Sequence, residues 1–279
     1  MDVRSPIAGA EAGRKRGLRW LSGVLPPVIF LALVLAAWQL YCVIVQPRPD
    51  LYPSVFDVFG AFGFAWDAGQ MQRAIITSLG RGALGFLFAV AIGTALGLLL
   101  AEVSLLRRAM GPIISGLQVL PSVAWVPAAI LWFGLSDATV YFVVLMGAVP
   151  SIANGVIDGL HRVPEDIRRA GVVMGANRWE MATRILFPAA LPAYISGLKQ
   201  GWAFSWRSLM AAEIIATGGS LGFGLGSLLQ QNRELADLAG VLATVLTILA
   251  MGILIELAGF APIERRILRG RGLALPRAR

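Results

Sequence analysis

Residues 74–103 read AIITSLGRGALGFLFAVAIGTALGLLLAEV, a stretch of apolar and small residues interrupted by one arginine and one glutamate. As a helix at 1.5 Å per residue it spans about 45 Å, which exceeds the roughly 30 Å hydrocarbon core of a bilayer. Its glycines at 85, 93 and 97 have the spacing that permits close contact with a neighbouring helix. The stretch therefore predicts a tilted membrane-spanning helix.

The composition extends this prediction to the whole chain. Of 279 residues, 57% are hydrophobic and 14% charged, whereas soluble domains have about 25% charged residues. The net charge of +8 does not indicate nucleic-acid binding, because the arginines lie between apolar runs. We expect an all-α membrane protein.

Several classes of chemistry are excluded by the residue counts. A single cysteine, Cys42, allows no intrachain disulfide, and with the single histidine, His161, it supplies too few ligands for a Cys/His metal site. Ser-His and Cys-His catalysis within the membrane is disfavoured for the same reason. Neither Lys15 nor Lys199 follows the glycine-rich spacing of a phosphate-binding loop. We expect a chain that is not an enzyme and that holds no metal or cofactor.

Apolar runs and polar breaks divide the chain into a tail, one transmembrane domain and a second tail. The domain covers 24–262, between a basic tail at 1–23 and a basic tail at 263–279. The first run is too long for a signal-peptide core and lacks a small-residue cleavage site, so we interpret it as an uncleaved helix. Six spanning helices are predicted, with a long polar loop at 161–187 after the fourth: 24–45, 74–103, 111–133, 138–160, 189–217 and 238–262.

Two further features lie between these helices. Apolar residues recur at helical spacing between Val55 and Trp66, which predicts a short amphipathic helix at the membrane surface. The third run contains Pro112, Pro121 and Pro127 and predicts a bent helix, since each proline lacks a backbone donor.

Basic residues indicate the orientation. With six crossings both termini lie on one side, and eighteen lysines and arginines then fall in the segments of that side, against Arg48, Arg73 and Arg233 on the other. Because lysine and arginine concentrate in cytoplasmic flanks, both termini are predicted to be cytoplasmic.

The long polar loop carries the signals of two helix starts. Pro164, Glu165 and Asp166 suit a first turn, Gly175 ends that helix, and Asn177 with Glu180 forms a capping-box pattern. The pattern predicts a cytoplasmic helix-turn-helix, which is more than a simple connection requires. A solvated amphipathic loop is the alternative.

The same segment resembles the cytoplasmic motif of permease subunits of binding-protein-dependent ABC importers, E-A-A-x3-G-x9-I-x-L-P. Arg169-Ala170-Gly171, Gly175, Ile185 and Phe187-Pro188 fall at the matching spacing. Arg169 replaces the glutamate of the motif and Phe187 its leucine. Weaker similarities to the nitrate, taurine and alkanesulfonate branch are distributed along the chain: Pro53-Ser54, Ser78-Leu79, Arg81, Trp132-Phe133-Gly134, Gly175-Ala176, Arg178-Trp179, Leu191-Pro192 and Ala211-Ala212-Glu213.

The resemblance implies a type I importer-like fold and a set of partners. Two copies of the chain would form an alternating-access pathway, two ATP-binding subunits would bind ATP and magnesium, and a periplasmic or lipid-anchored protein would deliver the solute. The residues implied to couple the chain to the ATPase are Arg169, Ala170, Gly171, Gly175, Asn177, Arg178, Trp179, Glu180, Ile185 and Pro188.

The fifth apolar run contains the charged residues Lys199, Arg207 and Glu213. Charges at membrane depth normally face protein or a water-filled cavity, so these residues are candidates for the pathway. Lys199 and Arg207 are eight residues apart, about 80° on an ideal helix, and so can border one face, while Glu213 points elsewhere. Arg207, flanked by Trp206 and Ser208, is the candidate anion site. Snorkelling of Lys199 and an ion pair of Arg207 with an acid on another helix are the structural alternatives.

Two other function classes fit a polytopic chain. A secondary transporter or channel would need no ATPase and would show charge relays or internal repeats, and no clear repeat is present. A membrane anchor would lack the prolines of the third run and the charges of the fifth. Among substrates, the resemblance favours small sulfonates or nitrate and leaves bicarbonate, aromatic acids and pyrimidines open.

Overall fold

The computed structural model describes residues 7–48, 50–218 and 221–269, and every regular element within these ranges is a helix. The all-α prediction is therefore confirmed. In chain order the elements are α1 (Ile7–Val45), α2 (Val55–Asp67), α3 (Gln70–Glu102), α4 (Ser104–Val119), α5 (Val126–Phe133), α6 (Asp137–His161), α7 (Glu165–Val173), α8 (Arg178–Glu180), α9 (Phe187–Ile215), α10 (Leu225–Glu234), α11 (Leu238–Ile255) and α12 (Ala261–Arg269).

Helix α6 lies at the centre of the bundle, between α3 and α9, because glycines let the three backbones approach closely. A Cβ on Gly93 would lie 2.9 Å from Cβ of Ile152 on α6. Gly155 of α6 faces Gly197 of α9 so closely that a Cβ on Gly155 would lie 2.7 Å from the Gly197 Cα. The predicted close contacts of the α3 glycines are present. We refer below to the two ends of the bundle as the Asp137 end and the His161 end.

Helix α1 is longer than the predicted first span. It begins at Ile7, within the predicted 1–23 tail, and continues to Val45. In its apolar part, Val28–Val45, no residue is buried by the rest of the chain. Residues 1–6, and residues 270–279 of the predicted second tail, lie outside the described residues.

Helix α2 confirms the short helix predicted between the first two runs. Its N-terminus carries a capping box, in which the Asp57 backbone N–H donates to the Ser54 hydroxyl and the Ser54 N–H donates to the Asp57 carboxylate. These hydrogen bonds lower the pKa of Asp57, with the Ser54 side chain making the largest contribution. The helix packs against α11 and α3 at the Asp137 end.

The predicted bent helix at 111–133 is instead two helices. Helices α4 and α5, with a short 3₁₀ turn (Ser122–Trp125) leading into α5, differ in direction by 100°. The break lies at Leu120, which has φ −70° and ψ 122°. Pro121 disfavours helical geometry at the preceding residue, and it cannot donate a helical hydrogen bond. A proline that was expected to bend one helix therefore separates two.

In the described part of the chain, four helical segments are long and apolar enough to cross a membrane: Val28–Val45, Gln70–Glu102, Asp137–His161 and Leu238–Ile267. The broken pair α4–α5 makes a fifth if it counts as one span. Helix α9 is long enough but carries Lys199, Arg207 and Glu213. The count of six crossings stays a prediction.

The C-terminal third departs from the prediction in two places. Helix α10 occupies a polar segment between the fifth and sixth runs, where no helix was predicted. Helix α11 continues through a π-helical turn (Glu256–Phe260) into α12, so the predicted basic tail is helical as far as Arg269.

Candidate functional site

The loop at 161–187 folds into the predicted helix-turn-helix at the His161 end. Helix α7 ends before Gly175, which has φ +79°, a conformation that glycine adopts without strain. Asn177 then caps the next helix, since its side chain accepts a hydrogen bond from Glu180 N and Glu180 accepts one from Asn177 N. The second helix runs without a break from α8 through a π-helical turn (Met181–Leu186) into α9.

Packing explains the spacing of the motif. Gly171 is buried, and a Cβ placed on it would lie 2.7 Å from Ile185 Cδ1 and 2.7 Å from Met181 Cε. A glycine here lets α7 lie directly on the π-helical turn. Gly171 and Ile185, two of the predicted coupling residues, therefore form the packing contact that closes the helix-turn-helix.

The outer surface of this element is apolar and open. Val173 is 88% exposed, Met174 83% and Trp179 76%. A cavity of about 480 Å³ adjoins Val173, with Val172, Met181 and Leu186 also in its wall. Exposed apolar patches of this kind are typical of interaction surfaces. We call Val172, Val173, Met174 and Trp179 the docking patch.

The remaining predicted coupling residues surround this patch. Arg169 lies 3.9 Å from Glu165 and is well exposed, as are Ala170 and Arg178. Glu180 also pairs with Arg184 at 3.3 Å. Pro188 occupies the first turn of α9, where its missing N–H costs no hydrogen bond.

Arg207 lies in the wall of a second cavity, of about 370 Å³, between α9 and the α4–α5 break. Gln118, Ser122 and Phe204 share that wall. The Arg207 guanidinium stacks on the Phe204 ring at 4.6 Å, and its Nε donates to the Ala203 carbonyl at 3.1 Å. Among the described residues it contacts no carboxylate. Within the described residues, Arg207 therefore forms no ion pair with an acid on another helix, and its guanidinium faces the cavity.

The two neighbours of Arg207 in sequence have other roles than the one expected. Trp206 is buried and stacks on Trp202 at 6.0 Å between ring centroids. Ser208 is buried and donates to the Ser122 hydroxyl at 2.7 Å. Neither side chain lines the Arg207 cavity. Their place in the transport pathway stays a prediction.

Lys199 does not join Arg207 on the cavity. Its Nζ lies 2.7 Å from Glu256 and 2.9 Å from Glu264, so it ties α9 to the π-helical turn and to α12. Two carboxylates compensate its charge, and it does not line the Arg207 cavity. The expectation of one shared face is wrong because the two residues meet different neighbouring helices.

Glu213 belongs to a buried network at the Asp137 end. Its carboxylate accepts hydrogen bonds from Ser78 at 2.7 Å, from the Gly226 N–H at 3.0 Å and from Arg81 at 3.1 Å. Arg81 also donates to Asp137 and to the Gly222 carbonyl. The network joins α3, α6, α9, the start of α10 and the segment before it. Arg81, the one basic residue within the 74–103 run, was the available sequence signal for it.

The comparisons with known proteins decide the family. Residues 90–267 match the family model described as the binding-protein-dependent transport system inner membrane component, which covers well over half of the chain. The chain belongs to this family. It is thus a permease subunit, a transport component and not an enzyme, and the predicted resemblance is confirmed.

Curated relatives match most of the permease. The nitrate import permease protein of Synechocystis is 31% identical over 79% of this chain and 84% of its own length. The taurine transport system permease protein of Escherichia coli is 28% identical over 85% and 86%. The bicarbonate transport system permease protein of Synechocystis is 26% identical over 96% and 97%.

A solved structure supports the fold of the permease. The MetNI methionine ABC transporter in an inward-facing conformation contains a chain that matches with a TM-score of 0.61 and 21% identity, over 72% of the permease and 97% of that chain. The type I importer-like architecture is therefore confirmed. At this identity the match concerns the fold and not the cargo.

Proposed function

We propose that this permease carries a small oxyanion, such as nitrate, taurine or another sulfonate, into the cell by alternating access. The main support for this proposal is the environment of Arg207. Its guanidinium is exposed in a cavity wall and has no carboxylate partner among the described residues. A charge on a membrane-embedded helix is costly unless it meets water, protein or a ligand. The names of the relatives, which include nitrate, bicarbonate and taurine permeases, support the same substrate class.

The proposed assembly contains two copies of the chain, two ATP-binding subunits that hold ATP and magnesium, and a periplasmic or lipid-anchored binding protein. Support for the ATPase contact is the docking patch, because Trp179 and Met174 are side chains that contribute strongly to protein interfaces when buried. ATP binding would close the ATPase pair and move α7 and the start of α9 as one body.

We place the permease in the bacterial inner membrane with the His161 end in the cytoplasm. Support comes from the concentration of arginines at that end, where Arg107, Arg162 and Arg168 lie near His161. In this orientation the docking patch faces the cytoplasm and α2 and α10 face the periplasm.

Reconstitution of the permease with its ATPase tests the proposal. Vesicles that contain both, and the binding protein, are expected to accumulate nitrate, taurine or methanesulfonate when ATP is supplied, and permease vesicles without the ATPase are expected to accumulate none. Uptake without ATPase would instead indicate a secondary transporter or channel, an alternative that the family assignment does not support. Accumulation of a cation or a neutral solute alone would contradict the oxyanion assignment.

A further inference from the structure

A third cavity, of about 430 Å³, lies between α4, α6 and α9 on the His161 side of the Arg207 cavity. Six uncharged hydroxyl and amide side chains line its wall: Ser115, Gln118, Ser151, Asn154, Ser196 and Gln200. Asp158 and Arg162 lie at its cytoplasmic mouth.

The position of this cavity along α6 requires an aqueous or protein neighbour. Asn154 lies seven residues before the end of α6 at His161, about 10 Å along the axis at 1.5 Å per residue, and thus within the span. Gln118 donates to Ser151 and Ser196 donates to the Pro192 carbonyl, but the remaining donors and acceptors of these amides and hydroxyls would lose their hydrogen bonds against lipid, at a cost for each group. This face of the bundle therefore does not contact lipid chains.

Gln118 connects the two cavities. It lines both the Arg207 cavity and this one, and its amide nitrogen donates to the Ser151 hydroxyl at 3.1 Å. A polar surface therefore extends from Arg207, past Gln118 and Asn154, to Arg162.

We propose that this cavity is a second, transient binding station for the oxyanion, which it recognises by neutral amide and hydroxyl donors. The inference rests on the proposed function. Amide N–H and hydroxyl groups donate to oxyanions without a fixed positive charge, so they hold an anion weakly. Arg207 attracts the anion from the Asp137 side. Near the His161 end, the negative charge of Asp158 offsets the positive charge of Arg162, so the anion is not held there. A weak site between two cationic positions suits a cargo that must leave.

The test uses charged thiol reagents as probes and does not depend on knowing the cargo. In a Cys42→Ser background, Asn154→Cys is introduced into the permease–ATPase complex in nanodiscs. The rates of modification by an anionic sulfonatoethyl and a cationic trimethylammonioethyl methanethiosulfonate are then compared. Thr183→Cys, an exposed cytoplasmic position, gives the reference ratio, and Leu87→Cys, on an apolar surface, serves as the unreactive control.

We expect the ratio of the anionic to the cationic modification rate at Asn154→Cys to be at least about three times the ratio at Thr183→Cys. A positive electrostatic potential of less than one kT per unit charge is enough for this difference. Adding Arg207→Ala should leave part of this preference, because the amide and hydroxyl donors of the cavity remain. A complete return to the reference would assign the preference to Arg207 alone and overturn the station. Ser196→Cys, at an exposed position of the same wall, provides an independent site if Asn154→Cys fails to assemble.

Absence of modification at both sites, or a ratio at or below the reference, would overturn the station. Trapping the complex with ATP and vanadate separates this result from the proposed function. If the anionic reagent reacts faster but neither rate changes on trapping, the station is supported and nucleotide-driven access is contradicted. If the rates change on trapping but the anionic reagent is not preferred, nucleotide-driven access is supported and the station is contradicted.

Discussion

Arg81 and Glu213 form an ion pair inside the bundle, with Nη1 of Arg81 3.1 Å from Oε1 of Glu213 and side-chain exposures of 6% and 0%. Asp137 accepts a second hydrogen bond from the same guanidinium at 2.8 Å. Burying these charges is tolerable because each has several hydrogen-bond partners, and the same fact makes the loss of one partner costly.

Arg81→Met is therefore expected to destabilise the permease by about 3–5 kcal/mol, the range for a buried pair that loses one member. Glu213→Gln should cost less, because Arg81 retains Asp137 and the amide can still accept from Gly226. Thermal unfolding in detergent measures both. Arg48→Met is the control, since its pair with Asp50 is exposed. A midpoint for Arg81→Met equal to that of the control would show that the buried pair is dispensable.

The proposed orientation of the chain predicts which positions an impermeant thiol reagent reaches. In a Cys42→Ser background, cysteines at Trp66 and Asn232 should be modified in intact cells, because α2 and α10 lie at the Asp137 end. A cysteine at Asn177 should react after the cells are opened. Modification of position 177 in intact cells would reverse the assigned orientation.

Changes in the docking patch should separate assembly from folding. Trp179→Ala removes an exposed side chain, so we expect a folded permease that copurifies with less ATPase or hydrolyses ATP without uptake. Phe64→Ala is the matched control, since Phe64 is also 76% exposed but lies on α2 at the opposite end. Equal ATPase recovery from both variants would argue against an interface at Trp179.

Gly175→Val addresses the turn itself. A β-branched residue at φ +79° is strained, so the angle between α7 and α8 should change. The expected result is a permease that reaches the membrane but whose ATPase activity no longer responds to the binding protein. Normal uptake would exclude this turn from the coupling mechanism.

Arg207→Ala should lower uptake and leave assembly and basal ATP hydrolysis unchanged, because the guanidinium makes no ion pair within the described residues. Arg207→Lys should restore part of the uptake, since it keeps the charge and loses the planar fork. Initial uptake rates in proteoliposomes provide the measurement. A complex that falls apart on Arg207→Ala would assign the residue a structural role instead.

Alanine substitutions are expected to change stability in opposite directions at a glycine in the α6–α9 contact and at a glycine in open space. Gly197→Ala should destabilise, since its Cβ would lie 2.6 Å from Gly155 Cα. Gly63→Ala on α2 meets no atom within 4 Å and should stabilise by up to about 1 kcal/mol, as alanine is the better helix former. A thermal midpoint for Gly197→Ala at or above that of the unsubstituted permease would contradict this close packing.

The sequence predicted what local chemistry controls. Gly175, the Asn177–Glu180 capping box and the helical nature of the long apolar runs follow from backbone preferences and hydropathy, and each is present. The roles of charged residues in α9 depend on which helix packs beside each face, so the partners of Lys199 and Glu213 were not predictable from spacing alone. Helix α10 was missed because it is polar and is held by contacts with α9 and α11.

The helical path from Arg178 to Ile215 is continuous and about 57 Å long, at 1.5 Å per residue. Its first turn lies beside the docking patch, and Arg207 lies about 43 Å further along, so a tilt of 5° about the first turn displaces Arg207 by about 4 Å. Such a lever would need no relay of side chains between the proposed ATPase-binding end and the cavity wall. In the proposed assembly, a small change of angle at the docking patch would therefore reach the cavity wall as a displacement of several ångströms at Arg207.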